Sequence, residues 1–113
     1  AARAQYESWK RGTILRGRPV KTFAEGIATG QAYEGTFPTL KEGLADFILV
    51  TETALADALR ELIRTTHNLP EGAAAGGLAG LRKVAAEYEG QKVGIVMCGG
   101  NIGVAALREV LRG

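Results

Sequence analysis

At 113 residues, with 46% hydrophobic and 23% charged side chains, the chain has the size of one small domain (1–113) and excludes two. The 14 basic and 12 acidic side chains leave a net charge of +2 and are interspersed, which argues against a nucleic-acid partner. No apolar run approaches the roughly 20 residues needed to cross a bilayer, and a single cysteine, Cys98, excludes an internal disulfide and fits a reducing, cytoplasmic compartment.

In chain order, residues 1–11 read as a helix with Gly12 as its stop. Residues 12–20 hold two glycines and a proline and read as an exposed loop. The positive run Lys10, Arg11, Arg16, Arg18 and Lys21 reads as a solvated connector, not an anion site. Residues 21–28 are a short extended segment or turn, and 29–36 a loop. Pro38 suits the first turn of a helix over about 37–44, where its missing N–H is not needed. Asp46-Phe47-Ile48-Leu49-Val50 has the continuous apolar character of a buried parallel strand. Thr51 is then a good N-cap, with Glu52 in the positive first turn. Leu55, Leu59, Leu62, Ile63 and Thr66 follow at helical spacing, and Asn68 and Pro70 end the helix.

A further helix is expected from about Gly72 to Tyr88, with Leu78, Leu81, Val84, Ala85 and Tyr88 as its apolar stripe. Gly76, Gly77 and Gly80 each cost it roughly 1 kcal/mol relative to alanine, so close packing against that face is expected. Residues Lys92 to Cys98 read as a second buried strand. The turn Gly99-Gly100-Asn101 leads into a last helix with Ile102, Ala106, Leu107, Val110 and Leu111 inward. The order strand–helix–helix–strand–helix is α/β, with the strands near 46–50 and 92–98 parallel in one helix-flanked sheet.

Ligands of open parallel sheets bind at the carboxyl ends of strands, which here is Cys98-Gly99-Gly100-Asn101. The glycines clear side chains from a ligand's path, and a helix behind them would offer N–H groups and a positive dipole end. A tight strand-to-helix turn needs the same glycines, so both readings stand. Glu71 either satisfies N–H groups at a helix start or faces a ligand pocket. His67 reads as structural, placed late in a helix, and Cys98 as a buried structural thiol and not a nucleophile. One histidine and one cysteine are too few for a zinc cage, and Glu25, Glu34 and Asp46 have no hard-cation spacing, so no metal is expected. Gly99-Gly100-Asn101-Ile102-Gly103 lacks the spacing of a dinucleotide fingerprint, which argues against a nucleotide-binding module.

Taken together, the motifs carry a resemblance. Thr22-Phe23-Ala24-Glu25-Gly26-Ile27-Ala28 resembles the T-x-A-D/E-G-I/V-A segment of the pyridoxal-phosphate (PLP) dependent threonine and serine dehydratases and serine racemases. Thr36-Phe37-Pro38 and Asp46 to Thr51 resemble the helix and strand that follow in that family. Leu69-Pro70-Glu71-Gly72-Ala73-Ala74-Ala75 is similar to its V-E-G-A-G-A-A segment, and Val96-Met97-Cys98-Gly99-Gly100-Asn101 to its V-L-S/C-G-G-N segment. Arg3 to Gly12 resembles the preceding helix. The motifs occur in the family's order and at its spacing along essentially the whole chain.

The resemblance implies the tryptophan-synthase-β type of PLP fold, with this chain as the C-terminal segment of its large domain. It implies that Cys98 bonds the cofactor's pyridine nitrogen, that Gly26 packs beside the ring, and that Glu71, Gly99, Gly100 and Asn101 shape the pyridine end. Lys10, Lys21, Lys41, Lys83 and Lys92 stand in contexts unlike the family's cofactor-linking lysine, and Ala1 is not a methionine. That lysine and the phosphate-cradling loop are therefore expected upstream, in an N-terminal half of the enzyme. Where metal-binding members carry an acidic residue, this chain has Ala4. The activity implied for the intact enzyme is β-elimination of a hydroxy amino acid to a 2-oxo acid and ammonia. The alternative is an inactive structural fragment or a subdomain that self-associates through an uncovered sheet edge, and a homo-oligomer is expected in either case.

Overall fold

The computed structural model describes residues 2–17 and 20–113; Ala1, Arg18 and Pro19, on which parts of the expected first helix, loop and basic run fall, lie outside the described residues. The chain divides into two compact units, one formed by residues 1–22 and 26–49, the other by 23–25 and 50–113.

In the first unit, helix α1 (Ala4–Arg11) ends where Gly12 turns left-handed at φ 71° and donates its N–H to the Trp9 carbonyl. That is the glycine stop the sequence predicts. Ser8 is fully buried on α1. Its hydroxyl donates to the Ala4 carbonyl at 2.6 Å and accepts the Leu15 N–H at 3.0 Å, so it ties the chain beyond the helix back onto it. An isolated antiparallel bridge joins Arg16 to Gln31. The 3₁₀ turn Glu25–Ile27 has Glu25 in the second unit and Gly26 and Ile27 in the first. Helix α2 (Phe37–Gly43) has proline in its first turn and buries Phe37. Lys41 donates to the Gly12 carbonyl at 3.1 Å, so α2 closes the C-terminal end of α1. Phe47 packs its ring against Tyr6 and Trp9, with centroids 5.9 and 6.1 Å apart.

The second unit is organised around helix α3 (Glu52–Thr66). The Thr51 side chain accepts the Ala54 N–H at 3.1 Å, as an N-cap should. Leu55, Ala58, Leu59 and Leu62 are buried along one face. Replacing Thr51 with alanine should cost about 1 kcal/mol by orphaning that N–H; urea titration of the T51A and T51S proteins should show the loss in alanine and near-native stability in serine. His67 follows α3 as a left-handed C-cap at φ 56°, a conformation the sequence did not foretell for it.

The single helix expected over 72–88 is divided into a 3₁₀ turn (Ala73–Ala75), helix α4 (Gly76–Val84) and a second 3₁₀ turn (Ala85–Tyr88). Tyr88 is 42% exposed and does not extend the apolar stripe. Of the three helical glycines, only Gly77 packs closely: a Cβ there would lie 2.5 Å from Ile95 Cγ2, whereas at Gly76 and Gly80 it would meet nothing within 4 Å. Helix α5 (Val104–Arg112) starts later than the sequence implies, with Gly103 as its cap. Ile102 packs on the core from the preceding loop, and Leu111 is 55% exposed, not inward. Val110 is buried, and Arg60 of α3 donates to its carbonyl while pairing with Asp57. The resulting core joins Ala24, Leu55, Ala58, Leu59, Leu62, Ala75, Ala79 and Val110.

The expected parallel sheet is the main departure. Among the described residues, neither 46–50 nor 92–98 forms a β-ladder. Val93, Ile95, Val96 and Met97 are 44%, 37%, 79% and 39% exposed. Apolar continuity signals burial on both faces, but a strand also needs a neighbour to take its N–H and C=O groups. Here the apolar pattern is present without that neighbour.

Candidate functional site

In the second unit two short segments run against each other. The chain leaving α3 passes through Leu69 and the buried Pro70 to Glu71, and the chain approaching α5 passes through Cys98 to Asn101. Glu71 makes both connections between them. Its N–H donates to the Gly99 carbonyl at 3.0 Å, and its carboxylate Oε2 accepts the Asn101 N–H at 3.1 Å.

Neither glycine is required by its own backbone angles; at Gly100 the approach of backbone excludes a side chain, and at Gly99 a side chain would displace the Glu71 carboxylate. A Cβ on Gly99 would lie 2.8 Å from both Cδ and Oε1 of Glu71. A Cβ on Gly100 would lie 2.9 Å from the Leu69 carbonyl oxygen. A third close approach lies behind Glu71. A Cβ on Gly72 would meet the Phe23 ring at 2.7 and 2.8 Å and the Ala24 Cα at 2.9 Å. Ala24 itself is fully buried. The 23–24 segment is therefore seated on the turn that carries Glu71.

Of the six candidate residues, the structure brings together Glu71, Gly99, Gly100 and Asn101, with Cys98 next to them in the chain. Gly26 is exposed in the 3₁₀ turn Glu25–Ile27 and belongs to the first unit. Two expectations change. Cys98 is free and exposed, not a buried structural thiol. The N–H of Asn101 is not presented as a helix terminus, because α5 begins only at Val104 and Glu71 already occupies that N–H. Glu71 does satisfy an orphan N–H, but across 30 residues and not on its own helix. Leu69 and Gly72 make close approaches at this site that the motif reading did not single out. The signal for Gly72 was available in its place between Glu71 and three alanines, a run too small to pack except by close approach.

The site can offer a small ligand a cysteine sulfur, a weak hydrogen-bonding group, beside two residues with no side chains. That donor set fits the ring-nitrogen edge of a flat heteroaromatic cofactor, which needs one hydrogen-bonding partner and unobstructed approach. Among the described residues no group of three or more His, Cys, Asp or Glu side chains could hold a metal, and no helix is long and apolar enough to cross a membrane.

Comparison with known proteins gives this geometry its setting. Residues 1–99 match the pyridoxal-phosphate dependent enzyme family. The L-threo-3-hydroxyaspartate ammonia-lyase of Pseudomonas sp is 29% identical across 94% of this chain, which spans 33% of that relative. The L-threonine ammonia-lyase of Thermotoga maritima is 34% identical across 92% of this chain, spanning 26% of that relative. The crystal structure of a threonine deaminase from T.th. superposes with a TM-score of 0.84 at 34% identity, covering 91% of this chain and 35% of that one. The chain thus spans about a third or less of the proteins it matches, and its backbone follows that of the threonine deaminase although its described residues form no sheet. The chain belongs to the pyridoxal-phosphate dependent enzyme family, as a segment related to its threonine and serine dehydratases.

Proposed function

We propose that this chain is the C-terminal segment of the large domain of a PLP-dependent ammonia-lyase, which converts a β-hydroxy amino acid into a 2-oxo acid and ammonia. The observation that carries the reading is the Cys98–Asn101 loop. It presents a free, exposed thiol beside two glycines, and Glu71 grips it from behind. The names of the two ammonia-lyase relatives support a hydroxylated amino acid as substrate.

The chemistry supplied by bound PLP would be an electron sink for the substrate's α-carbon. The Cys98 thiol would be the partner of the ring nitrogen. A thiol there would favour protonation of that nitrogen less than a carboxylate would, and so would moderate the electron sink. Gly99 and Gly100 would leave the ring edge unobstructed, Asn101 and Glu71 would hold the loop, and Gly26 would be the residue for the ring's flank. The lysine that links the cofactor and the phosphate-binding loop belong to the N-terminal part of the enzyme. Segments 46–50 and 92–98 are strands of the complete domain's parallel sheet, whose neighbours cover the apolar side chains of Val93, Ile95, Val96 and Met97. The enzyme is a homo-oligomer of the cytoplasm, a reading supported by apolar side chains exposed outside those segments, Tyr88 and Val104 among them, and by a free thiol.

The test uses the intact PLP-loaded enzyme with Cys98 replaced in turn by serine, alanine and aspartate, followed by cofactor absorbance and by ammonia and 2-oxo acid release from threonine and serine. Serine should keep activity within about threefold, because a hydroxyl makes the same contact. Alanine should lower activity about tenfold by removing one hydrogen bond. Aspartate should shift the cofactor spectrum toward the protonated ring. Three indistinguishable spectra would place Cys98 away from the cofactor, and release of neither product would remove the lyase assignment.

A further inference from the structure

Glu71 is half-buried, and two of its groups engage a loop 28 to 30 residues away in sequence. The main-chain N–H takes the Gly99 carbonyl, and the carboxylate takes the Asn101 N–H. These bonds bracket Gly100, whose Cβ position is closed by the Leu69 carbonyl oxygen at 2.9 Å. A Cβ on Gly99 would lie 2.8 Å from the Glu71 carboxylate and would have to displace it. Three consecutive residues are thereby registered against 69–71, and Cys98 is the residue immediately before them. An ionised carboxylate only accepts hydrogen bonds, and its bond to an N–H is stronger than that of a neutral oxygen.

We infer that Glu71 is a positioning residue: its carboxylate, through Asn101 N–H, fixes the 99–101 loop and so sets where the Cys98 thiol points. The inference rests on the reading that Cys98 meets the cofactor ring, but the mechanical part of it concerns only this chain's own atoms. Reach decides more than charge. Aspartate would keep the charge and withdraw the oxygens by one methylene, away from Asn101. Glutamine would keep an oxygen at the same reach and lose the charge.

The experiment measures two quantities without relying on turnover: amide hydrogen exchange at Asn101 and the rate of Cys98 alkylation by iodoacetamide. They are measured in the wild-type enzyme and in the E71A, E71D and E71Q variants. In E71A the Asn101 amide should exchange about tenfold faster, the equivalent of one charge-assisted hydrogen bond. Cys98 alkylation should rise by a similar factor, and amides of the buried α3 face (Leu55, Leu59, Leu62) should keep their protection. E71D should follow E71A, and E71Q should stay within about threefold of wild type. Unchanged Asn101 exchange in E71A overturns the inference. So does acceleration shared equally by the α3 amides, which would mean general destabilisation, and so does E71D behaving as wild type while E71Q does not, which would mean that charge and not reach decides. Failure of the cofactor reading would show separately, as a cofactor spectrum indifferent to Cys98 substitution whatever the exchange rates do.

Discussion

Replacing Leu59 with alanine is expected to destabilise the protein by about 3 kcal/mol, the largest loss of any single truncation in the second unit. Leu59 has no solvent exposure and lies in the core with Leu55, Ala58, Leu62 and Val110. Several of its neighbours there are alanines (Ala24, Ala58, Ala75 and Ala79). Alanines have no rotamer with which to fill the space left behind, so the cavity term adds to the lost transfer energy in full. With a urea slope of about 2 kcal/mol per molar, the midpoint should fall by about 1.5 M. The companion substitution Leu111→Ala removes the same atoms from a side chain that is 55% exposed on α5, and should change stability by no more than about 0.5 kcal/mol. Equal midpoint shifts for L59A and L111A would mean that α3 does not centre the core.

The second large effect separates two glycines with nearly the same backbone. Gly72 has φ −58° and ψ −37°, and Gly76 has φ −57° and ψ −39°, both right-handed helical angles open to any residue. On backbone grounds alone, alanine at either position should stabilise by about 0.4–1 kcal/mol, because it restricts the unfolded chain. At Gly76 nothing lies within 4 Å of the new Cβ, so that gain should be realised. At Gly72 the Cβ would stand 2.7 Å from the Phe23 ring and 2.9 Å from the Ala24 backbone. The Cα cannot rotate away, so overpacking of about 1–3 kcal/mol should exceed the entropic gain and reverse its sign. Thermal unfolding of G72A and G76A should therefore move in opposite directions. The displacement of the turn should also reach Glu71, so G72A should accelerate exchange at Asn101 and G76A should not. Stabilisation by both substitutions would show that the 23–24 segment is not seated on Gly72.

The amino-acid sequence by itself determined the local elements whose signals are contained within a few residues. Gly12 ends α1, proline opens α2, Thr51 caps α3, and the spacing of Leu55, Leu59 and Leu62 sets the buried face. Each depends on contacts within one or two turns, and for that reason could be read from residue identity and spacing. The ordered motifs likewise carried the family and its cofactor. What only the tertiary structure decided depends on atoms far apart in sequence. Whether 46–50 and 92–98 become strands is settled by the presence of neighbours to pair with, and no residue within those segments can supply one. The reason for Gly99 and Gly100 lies at Glu71 and Leu69, about 30 residues earlier, and the reason for Gly72 lies at Phe23 and Ala24. Glu71 looked from its sequence context like a cap for its own helix or a pocket wall. Folding gave it a third part, an acceptor for Asn101, because a hydrogen bond is made by proximity in space, and sequence spacing specifies proximity only within a single turn or helix.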